Sequence, residues 1–190
     1  MPYDLKRYAR DAVTGLAPAE YKALHPLGTA PVITDGTLVL AESGAIVDYV
    51  IARHGGGRIV LAAAHPDFAD YLFWFHFSNA NLQPAMGRSM ILRRLSPAPD
   101  HPVLLAMQAR LERSLAVLEA RLGDVAYLAG PEFTAADVMT VFSLTTMRLY
   151  HPLDLAPYPG IRGYLQRIGD RPAYRSAMRK GDPDMTPMLD

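Results

Sequence analysis

The chain contains no cysteine. That excludes a disulfide, a thiolate metal site and a cysteine nucleophile within it, and it fits a reducing cytoplasm. No apolar run approaches the ~18 residues of a membrane-spanning helix, so no membrane partner is expected. The opening, Met1-Pro2-Tyr3-Asp4-Leu5-Lys6-Arg7, carries no apolar stretch behind its charges and does not read as a secretory signal. Net charge is zero, from 19 Lys+Arg against 19 Asp+Glu. Nothing electrostatic therefore draws the chain to nucleic acid or an anionic surface. The 6 histidines have no metal-ligand spacing, so no metal is expected. A cytoplasmic protein is the expectation.

What is present falls into two textures. Residues 1–62 carry short mixed elements. Tyr3 to Tyr8 alternates weakly and predicts a strand; Pro18 to Leu24 predicts a short helix. Pro31-Val32-Ile33-Thr34 and Thr37-Leu38-Val39-Leu40 flank Asp35-Gly36. Two β-type runs across Asp-Gly predict a hairpin with a type I′ turn, which needs positive φ at both central positions. Ser43 reads as the N-cap of a helix whose stripe is Ile46, Val47, Val50 and Ile51, stopped by Gly55-Gly56-Gly57.

From Pro66 onward helical periodicity dominates. Asp67 to Leu95 is aromatic-rich, and Val103 to Leu122 repeats Leu104, Met107, Leu111, Leu115 and Leu118, with Pro97-Ala98-Pro99 between them. Thr134-Ala135-Ala136-Asp137 is a capping-box pattern that opens a third helix, to Leu149. Shorter helices follow, broken by Pro157, Pro159 and Pro172, and the tail after Gly181 is expected to fray. The pattern predicts an α/β unit over 1–62 and an all-α unit over 67–190.

The stretch His25-Pro26-Leu27-Gly28-Thr29-Ala30-Pro31-Val32-Ile33, then Asp35-Gly36, then Leu40-Ala41-Glu42-Ser43-Gly44-Ala45-Ile46 and Tyr49 resembles glutathione S-transferases of bacterial type. The Thr134 to Asp137 cap looks like the folding box of that family's helical domain. The resemblance implies an α/β plus all-α fold: a thioredoxin-like N-terminal domain and a glutathione S-transferase C-terminal helical domain. It also implies that the N-terminal domain is incomplete. The family's first strand and helix, roughly 25 residues at the usual length of such a unit, belong ahead of Tyr3. The Tyr, Ser or Cys that stabilises the glutathione thiolate normally lies there, so no catalytic residue is assigned.

Glutathione, the co-substrate implied, offers two carboxylates, an ammonium, a thiol and a peptide main chain. In the family the proline at Pro31 is cis, which turns the Ala30 N–H and C=O outward for strand-like pairing with the cysteinyl segment. Taken alone, Pro31 could simply open an edge strand. Ser43, at a helix start, suits the γ-glutamyl carboxylate, and Glu42 suits the ammonium. Outside the motif the pair reads as an ordinary cap and a solvated charge. Ala30, Pro31, Glu42 and Ser43 are the glutathione-binding candidates. Thr29, where many relatives place a basic residue, weakens the expected contact with the glycyl carboxylate.

Tyr71, Phe75, Ser78, Asn79, Leu82 and Met86 share one helix face. Tyr71, Phe75 and Asn79 are candidates for an acceptor-substrate pocket; core or subunit interface is the competing reading of the same face. Two functions stay open. One is conjugation of the glutathione thiol to a small apolar electrophile; the other is a non-catalytic glutathione transferase-like scaffold or ligand-binding protein. A thiol-disulfide role would need a cysteine from outside this sequence. The resemblance and the apolar faces around Phe73 and Phe77 also imply a homodimer.

Overall fold

The β-branched runs around Asp35-Gly36 form the hairpin they predict. In this computed structural model, which describes residues 1–190, β1 (Val32–Asp35) pairs antiparallel with β2 (Leu38–Ala41), Val32 opposite Ala41 and Asp35 opposite Leu38. The turn is thus Gly36-Thr37, one residue later than Asp-Gly. Gly36 has φ +58 and Thr37 is outside the positive region. Positive φ at the first position alone is the type II′ pattern, so the expected I′ turn is corrected. Asp35 is consequently a strand residue, and its carboxylate is free to reach α2 (Ser43–His54). It accepts the Tyr49 hydroxyl at 2.8 Å and lies 2.8 Å from His54 Nε2.

Two compact units divide the chain, Met1–Ile59 and Val60–Asp190. In the first, α1 (Ala19–Lys22) follows Pro18, and α2 buries Ile46 and Ile51. The sheet has two strands. The strand expected over Tyr3 to Tyr8 does not form, because no strand lies beside it to take its N–H and C=O groups. Tyr8 instead meets the Tyr21 ring edge-on, centroids 5.0 Å apart.

The second unit is helical. α3 (Phe68–Phe77) runs through a π turn, Ser78–Leu82, into α4 (Gln83–Arg94). Pro84 explains the wide turn: it has no N–H for the Ala80 carbonyl, and its ring would press on that carbonyl in a regular helix. The buried Ser78 hydroxyl donates to the Met139 carbonyl at 2.7 Å, tying the turn to α6 (Ala135–Leu144). α5 (Pro102–Asp124) buries Leu104, Leu111, Leu115, Leu118 and Leu122, the predicted stripe apart from Met107, which is half-buried.

The helix expected to run to Leu149 breaks at Thr145, and a 3-10 turn covers Thr146–Leu149. The Thr145 hydroxyl donates back to the Val141 carbonyl at 2.7 Å, a side-chain bond that competes with helix continuation. α7 (Pro159–Asp170) and α8 (Pro172–Gly181) follow. The tail after Gly181, expected to fray, forms no helix or strand, but its end packs back on the helices. Leu189 fills the space where a Cβ on Gly169 would stand, and the buried Arg148 donates to the Asp190 carbonyl at 2.9 Å. No helix is long and apolar enough to cross a membrane.

Candidate functional site

The four binding candidates flank one end of the hairpin. β1 starts at Val32 opposite Ala41, where β2 ends, so Ala30-Pro31 leads into the ladder at the end where Glu42-Ser43 leaves it. The hairpin thereby brings residues from two separate sequence stretches to one end of the sheet. The Ala30–Pro31 peptide is cis, and Ala30, Pro31 and Glu42 are exposed.

At that end β2 turns sharply into α2. Glu42 has φ 72 and ψ 114, a backbone state that costs a non-glycine residue about 1–3 kcal/mol and persists where its surroundings enforce it. Its carbonyl accepts from the Ile46 N–H at 2.9 Å, so helical bonding starts at Ile46. The amides of Ser43, Gly44 and Ala45 precede that bond and have no carbonyl of their own helix to meet, which leaves partial positive charge at this end. The sequence placed Ser43 at the N-cap. It is the first helical residue instead, and Glu42 holds the cap position without a side-chain capping bond. The positive φ at Glu42 makes the turn one residue earlier. An anion-attracting helix end and a carboxylate thus adjoin, an arrangement suited to a zwitterionic amino-acid head.

The acceptor candidates lie in the second unit. Tyr71 and Phe75 are 6% and 5% exposed, in its core, with ring centroids 5.9 Å apart. Asn79, in the π turn, is exposed.

Sequence reasoning missed two supports of the site. The Tyr21 hydroxyl donates to the Thr29 carbonyl at 3.3 Å, and Asp35 ties the hairpin to α2. Neither leaves a sequence pattern, since each joins residues 8 or more positions apart with no periodicity. The Tyr49 hydrogen bond, then that of His54, holds the Asp35 carboxyl below its usual range, and the same carboxylate pushes the Tyr49 phenol up. A depressed carboxyl supports folding above its unfolded-chain value and loses that support as pH falls through the folded one. The Asp35 carboxyl carbon, followed by NMR, is expected to titrate below an ordinary aspartate and to move back upward in Tyr49→Phe. An unchanged midpoint in that variant would remove Tyr49 as the main cause.

Residues 4–58 match the glutathione S-transferase N-terminal domain, and residues 93–167 match its C-terminal domain. The chain is 28% identical over 192 residues to glutathione S-transferase 3 of Schizosaccharomyces pombe, covering 95% of this chain and 78% of that protein. It is 31% identical over 165 residues to glutathione S-transferase 3 of Zea mays, covering 84% and 74%. Among solved structures, a glutathione S-transferase from Actinobacillus pleuropneumoniae superposes with a TM-score of 0.85 at 31% identity, over 96% of this chain and 82% of that one.

Proposed function

The chain belongs to the glutathione S-transferase family, and from that premise we propose that it binds glutathione at Ala30, Pro31, Glu42 and Ser43 and conjugates it, through its thiol sulfur, to a small apolar electrophile. The observation that supports the reading is the end of the hairpin, where Ala30-Pro31 enters β1 and Glu42 turns β2 into the first-turn amides of α2. The γ-glutamyl carboxylate meets the amides and the Ser43 hydroxyl, the ammonium meets Glu42, and the cysteinyl main chain pairs along Ala30. The thiol gives up its proton to solvent, the thiolate sulfur bonds to the electrophilic carbon, and that carbon releases its leaving group with the bonding electron pair. No residue of this chain is assigned to hold the thiolate.

The acceptor side is proposed along the α3–α4 helix at Asn79, with Tyr71 and Phe75 in the core of the same unit. A homodimer is part of the same proposal. Phe73 is 53% exposed on α3, whereas Phe77 is a core residue, so Phe73 supplies the interface. Sedimentation showing only monomer at micromolar concentration would remove the dimer.

Calorimetry with glutathione tests the site. The parent is expected to bind, and the Glu42→Ala, Ser43→Ala double variant to lose about tenfold or more, since each charge-assisted contact contributes about 1.5–3 kcal/mol. A folded parent, by circular dichroism, that does not bind would overturn the reading. Binding without turnover of an aryl halide would favour the ligand-binding scaffold over the conjugating enzyme.

A further inference from the structure

Thr29 and Ala30 share one peptide plane. Whatever fixes the Thr29 carbonyl also fixes the direction of the Ala30 N–H, because the bond between them does not rotate freely. β1 begins at Val32, so this plane lies outside the ladder and is not oriented by strand pairing. The Tyr21 hydroxyl is the group that reaches it, donating to the Thr29 carbonyl at 3.3 Å.

Tyr21 is itself held in place. It stands on α1, whose entry is set by Pro18 in extended conformation. Its ring meets Tyr8 edge-on at 5.0 Å, and the Lys6 ammonium lies 4.5 Å from the Tyr8 ring centre. The loop between Tyr21 and Thr29 is closed by local bonds. The Leu24 N–H donates to the Tyr21 carbonyl at 3.0 Å, and the Gly28 N–H to the His25 carbonyl at 2.9 Å. The Leu27 N–H reaches His25 Nδ1 at 3.2 Å. A short helix, an aromatic pair and a bonded loop therefore deliver one hydroxyl to one carbonyl.

We infer that Tyr21 is a positioning residue for the bound peptide: its hydroxyl holds the Thr29–Ala30 plane so that the Ala30 N–H is presented to the main-chain carbonyl at the centre of glutathione. The inference rests on the proposed glutathione site. It adds a residue from outside the Pro31 and Glu42-Ser43 motifs, and it predicts that peptide recognition is sensitive to a hydroxyl that never touches the ligand.

The test is Tyr21→Phe, which keeps the ring against Tyr8 and removes the hydroxyl alone. Two readouts are taken: glutathione affinity by calorimetry, and the Ala30 amide resonance of the ligand-free protein by 15N NMR. The expected result is a three- to tenfold loss of affinity, about one hydrogen bond, together with a broadened or shifted Ala30 amide and a retained cooperative denaturation transition. Tyr150→Phe, which removes an exposed hydroxyl from the second unit, is expected to keep the affinity within about twofold of the parent, since it leaves that hydrogen bond in place. An Ala30 amide unchanged in Tyr21→Phe would overturn the positioning role whether or not the parent binds glutathione. An unchanged affinity in a binding parent would overturn it as well. A parent that fails to bind would instead remove the glutathione reading, with the amide resonance still deciding the role of Tyr21.

Discussion

Asp137→Ala is expected to cost about 3–5 kcal/mol of folding stability, the sum of two buried donors left unpaired. Asp137 is fully buried at the start of α6, where its two carboxylate oxygens do different jobs. Oδ2 accepts from the Thr134 N–H at 2.8 Å, and the Thr134 hydroxyl lies 3.3 Å away. Oδ1 accepts from the Leu128 N–H at 3.0 Å. One side chain thus closes the capping box and anchors the loop that precedes it. Asn is not a neutral replacement, because an amide has one acceptor oxygen and turns a donor toward the other N–H. Asp137→Asn is expected to lose about 1.5–3 kcal/mol, and Thr134→Ala about 1 kcal/mol as an ordinary cap deletion. Urea denaturation followed by circular dichroism ranks the three. An Asn variant as stable as the parent would show that one of the two N–H bonds contributes nothing.

The pH dependence of this group has the opposite sign to that of Asp35. Burial raises the Asp137 carboxyl above its ordinary value of 3.8, against the hydrogen bonds from Leu128 and Thr134 that pull it down. A folded state that holds its proton longer than the unfolded chain gains stability at low pH and loses that part as pH rises from the unfolded value through the folded one. Asp35 contributes in the reverse direction, losing its support as pH falls. The buried Tyr164 phenol, raised well above its ordinary value by burial and by the Asp137 charge, stays neutral throughout the range where either carboxyl titrates.

How much of this was legible depends on where the determining interaction lies along the chain. The Thr134 cap and the α5 stripe were readable because the pattern and its consequence fall within one helix. The hairpin was readable for the same reason, yet its turn came one residue late. Asp35 gains more from pairing with Leu38 and reaching Tyr49 than from sitting in the turn, and Gly36 supplies the positive φ there. The packing of the tail left no trace, because composition reports only its prolines, whereas Gly169 leaves room for Leu189. The Glu42 backbone left no local trace, since nothing in a glutamate residue announces positive φ. For the acceptor candidates, periodicity identified a shared face but not its exposure: Tyr71 and Phe75 are core, and Asn79, at the edge of the buried stripe that continues through Ser78 and Leu82, is surface.

The joint between α5 and α7 carries the second large effect. Pro159 opens α7 without an N–H, so the next two amides are the ones that need acceptors. Glu119 of α5 supplies both: Oε1 to the Gly160 N–H at 2.8 Å and Oε2 to the Ile161 N–H at 2.9 Å. A part-buried carboxylate at a helix N-terminus gains from the partial positive charge there as well as from the two bonds. Gly160 permits the approach. A Cβ at that position would stand 2.9 Å from the Gly123 N and 3.0 Å from the Glu119 carbonyl oxygen, backbone atoms that cannot swing aside. Gly160→Ala is therefore expected to cost about 2–4 kcal/mol by forcing the helices apart, and Glu119→Ala about 2–3 kcal/mol. The two losses share a cause, since a helix pushed off α5 also carries its amides away from Glu119. The double variant is expected to cost less than the sum by 1 kcal/mol or more, a coupling typical of residues in contact. A double-mutant cycle on the denaturation midpoints measures it. Additivity within about 0.5 kcal/mol would mean that the carboxylate follows α7 when the backbones separate, and that close packing at Gly160 is not what holds the two bonds in place.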